Sequence, residues 1–383
     1  MIIAIRGLGG AIGSTLVLGT ALASRNSGSY PQYGSVLGLP KWRNLKVPEL
    51  HDIKFSGWDI SGACIAQRAK QLGILHPSVL DELGEDIKAL APRPAPVRPN
   101  DVDGIIPSDQ AIKMSARSAL DYYTQELQNL KSIDESVVSV NLASTEYWNG
   151  DITSIMDNKT LLRLIEEDSP LMRSGLLFGL ASIEAGIPYC DFTPDLTLEC
   201  PAVLSRAEAL SVPVAGKDGN TGQTFLKLIL AEMMVRRNLK IVGWYSTNVL
   251  GNLDGKVLSL PGHKTTKMRD KLNALDDVVP YQFSHVVDIA YEESRGDYKE
   301  SWDSVQIRGW LGQRISLRVN WHASDSILAA PIVLDLARLL ALDAEAGQGG
   351  VRTHLSPFFK KPIGFTRESL VGEFEVLERY YGI

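Results

Sequence analysis

The sequence has little cysteine, no excess of positive charge and no long apolar run. Its three cysteines, Cys64, Cys190 and Cys200, form no CxxC pair, and its six histidines form no HxH or HExxH motif. These absences argue against a disulfide scaffold and a zinc site, and they suit a reducing cytosol. The formal net charge of −6 gives no global attraction to nucleic acid or to anionic lipid, so we expect neither as a partner.

The most apolar stretch near the start, residues 1–23, is interrupted by Arg6 and by a cluster of glycines. No other stretch is long and apolar enough to span a bilayer. We therefore expect no signal peptide, no membrane span and a cytoplasmic location. The 383 residues are 44% hydrophobic and 22% charged, an ordinary soluble composition, and this length predicts two domains or one elaborated domain.

A glycine-rich loop follows a predicted strand at 2–5 and precedes a predicted helix at 14–24. This order is typical of the phosphate-binding turn of a dinucleotide fold. Glycines let the backbone approach a pyrophosphate, and the helix N-terminus offers free N–H donors. The alternative is a glycine turn that binds no ligand. The candidate residues are Gly7, Gly9, Gly10, Ala11, Ile12, Gly13 and Ser14.

The loop departs from the usual dinucleotide pattern in two respects. Its last glycine comes one place later than in G-x-G-x-x-G, and no Asp or Glu occurs before Glu49. The acid expected about 20 residues after the loop is therefore missing. Asp59, in "FSGWDISGA", is the later candidate. It could bind an adenosine ribose or cap the helix that follows, and the residues alone leave both roles open.

Helix and strand patterns alternate in the first half of the chain and give way to strands after about residue 240. A helix at 120–132, a strand at 136–145 and a helix at 175–186 predict a parallel sheet, whose ligands bind at the carboxyl ends of strands. The turn at 142–146 is therefore a second cofactor candidate. The later alternating runs predict an open sheet with much antiparallel pairing, before a long helix at 324–345. We predict an α/β fold, in which a β-rich insertion interrupts a nucleotide-binding domain.

Several motifs, taken together and in order, resemble those of the myo-inositol-1-phosphate synthase family. The resemblance covers most of the chain and is densest between 213 and 275. It is closest to the short archaeal and bacterial form, although "GWDIS" is similar to the eukaryotic form. The motifs are "GLGGAIGST", "GWDIS", "NLASTE", "AGKDGNTGQTFLK", "STNVLGNLDGKVLS", the lysines at 264–271, "DSILAAPIVLDLAR" and "FFKKP".

The resemblance implies a redox-neutral enzyme that uses NAD catalytically. Family members oxidise C5 of glucose 6-phosphate, enolise toward C6, close the ring by an intramolecular aldol reaction and reduce C5 again. The product is myo-inositol 1-phosphate. The resemblance implies a Rossmann-like NAD-binding domain at 1–225, a catalytic and oligomerisation domain at 226–323 and a return segment at 324–383. It also implies a hexose 6-phosphate substrate and a homotetramer. It leaves a divalent metal open, because the short form includes metal-dependent members.

This chemistry explains why lysines are expected around the substrate. A phosphate, an enolate and an aldol alkoxide all carry negative charge that ammonium groups stabilise, and a desolvated lysine can also act as a base. By resemblance, the catalytic residues are Lys267, Lys271, Lys299, Lys360, Asp218, Asn248 and Asp325. By resemblance, the NAD contacts are the glycine loop, Asp59, Ala143, Ser144, Thr145, Gly216 and Asp254.

Each assignment has a structural alternative. The lysine stripe could be a solvated surface, Lys299 could be ordinary surface, and Lys361 is adjacent to Lys360. The remaining alternatives are a turn at Asp254, a helix cap at Asp325 and a strand-end contact at Asn248.

Three departures from the family pattern leave the substrate open. Lys217 stands where Asn or Asp is usual, Thr247 replaces a more usual Tyr, and "TPDLTLECP" at 193–201 differs from the usual loop. A relative acting on fructose 6-phosphate would close a five-membered ring by the same chemistry. An NAD-linked dehydrogenase that releases NADH, and a nucleotide-sensing regulator, are the alternatives from other classes.

Overall fold

The computed structural model describes residues 1–26, 28–73, 75–98, 108–146, 148, 150–251, 255–256, 275 and 277–383. The predictions for Asp254, Lys267 and Lys271 lie outside these residues. In the described part of the chain, no helix is long and apolar enough to cross a membrane.

The larger sheet has seven strands, all parallel, in the order β13-β8-β7-β6-β1-β2-β3. Strand β1 is apolar along most of its length because helices cover both faces of the sheet. The chain continues from β1 to β2 on one side and later adds β6 on the other, so the strand order reverses beside β1. In such sheets, ligands bind at the carboxyl ends of the strands that flank this reversal. The strands are β1 Ile2–Arg6, β2 Lys54–Asp59, β3 Arg93–Pro94, β6 Val137–Asn141, β7 Tyr189–Asp191, β8 Pro213–Gly216 and β13 Gly350–Val351.

Helices pack on both faces of this sheet and form two cores. One core contains the aromatic residues Trp58, Tyr123 and Phe178, and the other contains Leu16 from the first helix and Val333 from the long helix near the C-terminus. The helices are α1 Ala11–Arg25, α2 Ile65–Leu72, α3 Pro77–Asp81, α4 Glu85–Ala89, α5 Ala116–Ile133, α6 Asn158–Glu166, α7 Ser174–Glu184, α8 Pro201–Ala209, α9 Gln223–Arg236, α10 Asp325–Glu345 and α11 Leu370–Tyr380.

The second sheet has four longer strands in the order β10-β9-β11-β12. Strands β9 and β10 pair in parallel, whereas β11 is antiparallel to both β9 and β12. Its inner face packs on α9 around Leu228, Trp244 and Val305, which form a third core. The strands are β9 Lys240–Leu250, β10 Ser284–Tyr291, β11 Tyr298–Arg308 and β12 Arg314–Ser324.

After the second sheet, the chain returns to the first. Helix α10 shares a core with α1, and β13 pairs with β8 at the edge of the parallel sheet. A two-stranded sheet and several 3₁₀ helices complete the described chain. These are β4 Pro96–Val97, β5 Ile112–Lys113, and 3₁₀ turns at Pro40–Trp42, Leu50–Asp52, Ile152–Ser154, Thr197–Glu199, Glu293–Arg295, Trp310–Gly312 and Thr353–Phe358.

Candidate active site

The glycine loop and the turn after β6 lie side by side at the carboxyl ends of β1 and β6. Gly7 has a φ of +93°, and a Cβ built there would lie 2.7 Å from the backbone nitrogen of Ala143. Helix α1 begins at Ala11, and Gly10 before it has no side chain to cap the free N–H groups. These groups are a ready anion site, so the loop fits the pyrophosphate of a dinucleotide.

Asp59 lies at the end of β2, beside the glycine loop. Its Oδ2 accepts a hydrogen bond from the Gly9 N–H at 2.9 Å, and its Oδ1 accepts one from Ser61 N–H at 3.1 Å. Burial raises the pKa of this carboxyl above its usual value. The helix-cap alternative is wrong, because the next helix begins at Ile65 and its N-cap is Cys64. The position fits a ribose contact.

One continuous cavity of about 570 Å³ connects the glycine loop with the polar residues predicted at the substrate end. Of the predicted residues, its lining includes Gly7, Gly10, Ala11, Ile12, Asp59, Ala143, Ser144, Thr145, Asp218, Asp325 and Lys360. Other predicted residues lie outside the lining: Gly9, Gly13, Ser14, Gly216, Asn248 and Lys299.

Lys360 reaches the cavity because its segment pairs with the loop after β8. The Lys360 N–H donates to the Asp218 carbonyl at 2.7 Å, and the Lys360 Nζ donates to Asp218 Oδ1 at 2.6 Å. Lys361 instead exchanges backbone hydrogen bonds with Lys217, at 3.0 and 3.3 Å. Arg367 also holds this segment in place, because its guanidinium donates hydrogen bonds to the carbonyls of Phe359 and Lys360. The choice of Lys360 over Lys361 therefore fits the geometry.

Lys299 and Asp325 form a second ion pair at the edge of the cavity. The Lys299 Nζ lies 3.3 Å from Asp325 Oδ1, and the lysine side chain is only 14% exposed, so it is not ordinary surface. Asp325 is the first residue of α10, and Ser324 occupies the N-cap position, so the predicted alternative of a cap at Asp325 is wrong. A carboxylate in the first helical turn is stabilised by the helix dipole.

Two buried charged residues that the sequence did not lead us to predict line the cavity. Asp297 accepts hydrogen bonds from the hydroxyls of Ser324 and Ser326, and burial raises the pKa of its carboxyl. Arg6, at the end of β1, forms a buried ion pair with Glu146. The signal for Asp297 was its place two residues before Lys299. The signal for Arg6 was a charge at the end of an apolar strand.

Two departures from the family pattern contact each other. Lys217 is fully buried, and its Nζ lies 2.8 Å from Glu199 Oε1 and donates to the Pro194 carbonyl at 3.0 Å. Both partners belong to the unusual loop 193–201, so in the structure Lys217 pairs with this loop. Nearby, burial and then the charge of Asp195 raise the pKa of Asp191 to about 7.

Asn248 lies near the end of β9, an inner strand of the second sheet, and its side chain is buried. Within the described residues, neither atom of its side-chain amide has a hydrogen-bond partner, so the strand-end contact that we considered for it is not formed. A search of the same residues finds no group of three or more His, Cys, Asp or Glu side chains that could hold a metal ion.

The fold and cavity define a class: a Rossmann-like nucleotide-binding protein with a second, mixed sheet beside the site. A family model described as myo-inositol-1-phosphate synthase matches residues 1–375. The chain is 32% identical over 381 residues to inositol-3-phosphate synthase 1 of Bacteroides thetaiotaomicron, covering 93% of this chain and 88% of the relative. It is also 32% identical over 342 residues to the human inositol-3-phosphate synthase 1, covering 82% of this chain and 60% of the relative.

Two solved structures share the fold. The inositol-3-phosphate synthase of Caenorhabditis elegans gives a TM-score of 0.90 at 23% identity, covering 99% of this chain and 84% of that one. A myo-inositol-1-phosphate synthase-related protein of Thermotoga maritima gives 0.84 at 21% identity, covering 100% and 98%. The chain belongs to the myo-inositol-1-phosphate synthase family. This membership confirms the predicted α/β fold, the predicted NAD cofactor and an enzyme of the intramolecular lyase type.

Proposed function

We propose that the protein converts glucose 6-phosphate to myo-inositol 1-phosphate in a redox-neutral, NAD-dependent cyclisation. The observation that carries this proposal is the single cavity that joins the glycine loop and Asp59 to Asp218, Asp325 and Lys360. A cofactor held at one end and a sugar phosphate held at the other would meet in the same enclosed space. Bound NAD supplies a hydride acceptor that returns the hydride before the product leaves.

The chain's own residues would bind and polarise the sugar. The Lys360 ammonium, held by Asp218, stabilises negative charge on a substrate oxygen, and Lys299, held by Asp325 at the edge of the cavity, does the same. Because each ammonium is already held by a carboxylate, little reorganisation is needed as charge develops. By resemblance, Asn248, Lys267 and Lys271 also contact the sugar, and Asp254 contacts the NAD.

The cofactor contacts divide into two groups in our proposal. The N–H groups of Ala11 and Ile12 face the pyrophosphate, with Gly10 beside them in the lining, while Asp59 and the Ala143–Thr145 turn hold a ribose and the nicotinamide side. Gly9 positions Asp59 through its N–H. Gly13, Ser14 and Gly216 act through packing, since all three are buried and none lines the cavity.

We propose glucose 6-phosphate, and not fructose 6-phosphate, as the substrate. The relatives matched over most of this chain are named inositol-3-phosphate synthases, and the comparisons lend no support to a five-membered ring. Lys217 contacts Glu199 of the 193–201 loop, and Thr193 and Pro194 of the same loop line the cavity.

We also propose that residues 226–323 carry oligomerisation in a homotetramer, while 1–225 and 324–383 form the NAD-binding domain. The outer face of the second sheet presents Tyr245, Val286 and Trp302, which are 48%, 49% and 56% exposed. Apolar side chains clustered on a long, open sheet are typical of a subunit interface. The return of α10 and β13 to the first sheet supports the division of the domains.

Coenzyme stoichiometry tests the proposed chemistry. Purified protein carrying its bound NAD should turn over excess glucose 6-phosphate repeatedly without added coenzyme, and free NADH should not accumulate. The measurement pairs product formation with the absorbance of NADH. A steady rise of NADH equal to the substrate consumed would make the protein a dehydrogenase, and no turnover of either kind would leave the regulator alternative.

A further inference from the structure

Two buried polar side chains face each other across strands β9 and β11 on the inner face of the second sheet. Asn248 and Ser301 are directly opposite in the antiparallel register, and neither has exposed surface. Throughout the residues that the structure describes, no hydrogen-bond partner is found for the Asn248 amide atoms or for the Ser301 Oγ. Buried polar atoms nearly always have a partner, so three such atoms together indicate a missing one.

The pair lies next to the wall of the cavity. Lys299 is two residues before Ser301 on the same face of β11, and it pairs with Asp325 in the cavity lining. On the other side, Ser301 is opposite Trp321 in β12. The Trp321 indole packs so closely on Gly222 that a Cβ there would lie 3.3 Å from its Nε1. On one side, Lys299 links the pair to the lining residue Asp325. On the other side, Trp321 packs on Gly222, which follows the lining residue Thr221.

Farther along the same face, the polar groups satisfy one another. Asp303 accepts hydrogen bonds from Ser246 at 2.5 Å, from Trp244 at 2.7 Å and from Gln223 at 2.8 Å. The Lys227 Nζ donates to the Ser246 hydroxyl at 3.0 Å. The unpartnered atoms on this face therefore lie at the end that adjoins the cavity. A ligand bound there can supply the missing hydrogen-bond partners.

We propose that Ser301 is a substrate-binding residue that hydrogen bonds, together with Asn248, to hydroxyl oxygens of the sugar phosphate. This inference rests on the proposed function and adds a residue that the motif comparison did not identify. A hydroxyl and an amide both donate and accept, so they match neutral sugar hydroxyls. The ammonium groups of Lys299 and Lys360 instead suit the negatively charged oxygens of the substrate.

The test compares Ser301→Ala with Ser304→Ala, which lies on the same strand with its side chain on the opposite face. Ser301→Ala should raise the KM for glucose 6-phosphate about five- to tenfold, because one hydrogen bond to the substrate is lost. Its kcat should stay within about twofold, and NAD affinity should not change. Its thermal midpoint should stay equal or rise, because an unpartnered buried hydroxyl has been removed. Ser304→Ala should leave the KM unchanged.

The outcomes separate this inference from the proposed function. If wild-type protein turns over glucose 6-phosphate but Ser301→Ala has an unchanged KM, the hydroxyl serves only to hold a buried water, and the inference is wrong. A lowered thermal midpoint with an unchanged KM would likewise make Ser301 purely structural. If the wild type forms no cyclitol, calorimetric binding of glucose 6-phosphate to both variants still decides the role of Ser301: equal affinities overturn it, and a weaker Ser301→Ala supports it.

Discussion

Lys360 and Lys361 are adjacent lysines whose side chains lie in different environments. The Lys360 side chain lines the cavity and pairs with Asp218, whereas Lys361 is outside the cavity lining. We predict that Lys360→Met lowers kcat for cyclisation about 100-fold or more, because a fixed ammonium beside developing negative charge is lost. Lys361→Met is the matched control and should change kcat less than about threefold. Equal losses in both variants would show that the register of this segment is wrong.

Lys227 gives a prediction about stability and pH. The residue is buried in α9, and burial, opposed by the charge of Asp303, lowers the pKa of its ammonium to about 8. The folded chain therefore binds this proton less tightly than the unfolded chain. The resulting penalty is fully present below pH 8 and is relieved as the pH rises toward the unfolded value of 10.5.

Lys227→Met removes that titration. The free energy of unfolding of the variant, relative to wild type, should fall by about 2–3 kcal/mol between pH 7 and pH 10.5. The hydrogen bond to Ser246 that the variant loses shifts the whole curve but not its slope. Chemical denaturation across this pH range is the measurement. Parallel curves for the two proteins would contradict the lowered pKa.

The sequence predicted the site residues that belong to motifs, such as Asp59, Asp218 and Lys360. It missed Asp297, because the burial of this carboxylate depends on packing, and its place two residues before Lys299 was the one hint in the sequence. The carboxylate nearest to Lys217 in the sequence is its neighbour Asp218. Burial instead directs Lys217 to Glu199, eighteen positions earlier in the chain, and only the packing of the loop shows that contact.

At the scale of elements, helix α1 offers a matched pair of glycines. A Cβ on Gly13 would lie 2.5 Å from the Leu8 carbonyl oxygen and 2.7 Å from that of Gly7, so the loop would have to move. Gly19, in the same helix, has nothing within 4 Å of such a Cβ.

We predict opposite effects for the two alanine substitutions. Gly13→Ala should lower the free energy of unfolding by about 1–3 kcal/mol and weaken NAD binding, because it overpacks the loop. Gly19→Ala should raise the free energy of unfolding by about 0.5–1 kcal/mol, because alanine is the better helix former. Denaturant titration and NAD binding by calorimetry check both. Unchanged NAD affinity in Gly13→Ala would count against the role of the loop.

Element types were more predictable than their limits and pairing. The parallel sheet followed from the alternation of strands and helices, and the long helix α10 was predicted at 324–345 and observed at Asp325–Glu345. Helix α1 begins three residues earlier than predicted, because Gly13 and its neighbours belong to the first turn despite poor helix propensity. The parallel pairing of β9 with β10 was not predictable, since alternation is the same in both directions.

At the scale of the whole molecule, the exposed face of the second sheet carries the prediction about assembly. Light scattering should give the mass of four subunits for the wild-type protein. Trp302→Glu should lower that mass, because it places a charge within the proposed apolar interface. Tyr33→Glu, an exposed aromatic in the nucleotide-binding part, is the control and should leave the mass unchanged. A monomeric wild type at micromolar concentration would refute the tetramer.

We propose above all that one cavity cyclises glucose 6-phosphate with no net redox change. Carbon-13 and phosphorus-31 NMR of the product made from labelled glucose 6-phosphate, with only the bound NAD present, tests it most directly. Our account predicts a six-membered carbocycle bearing one phosphate, with six ring carbons and no carbonyl carbon. An oxidised sugar phosphate, or a five-membered ring formed only from fructose 6-phosphate, would contradict it.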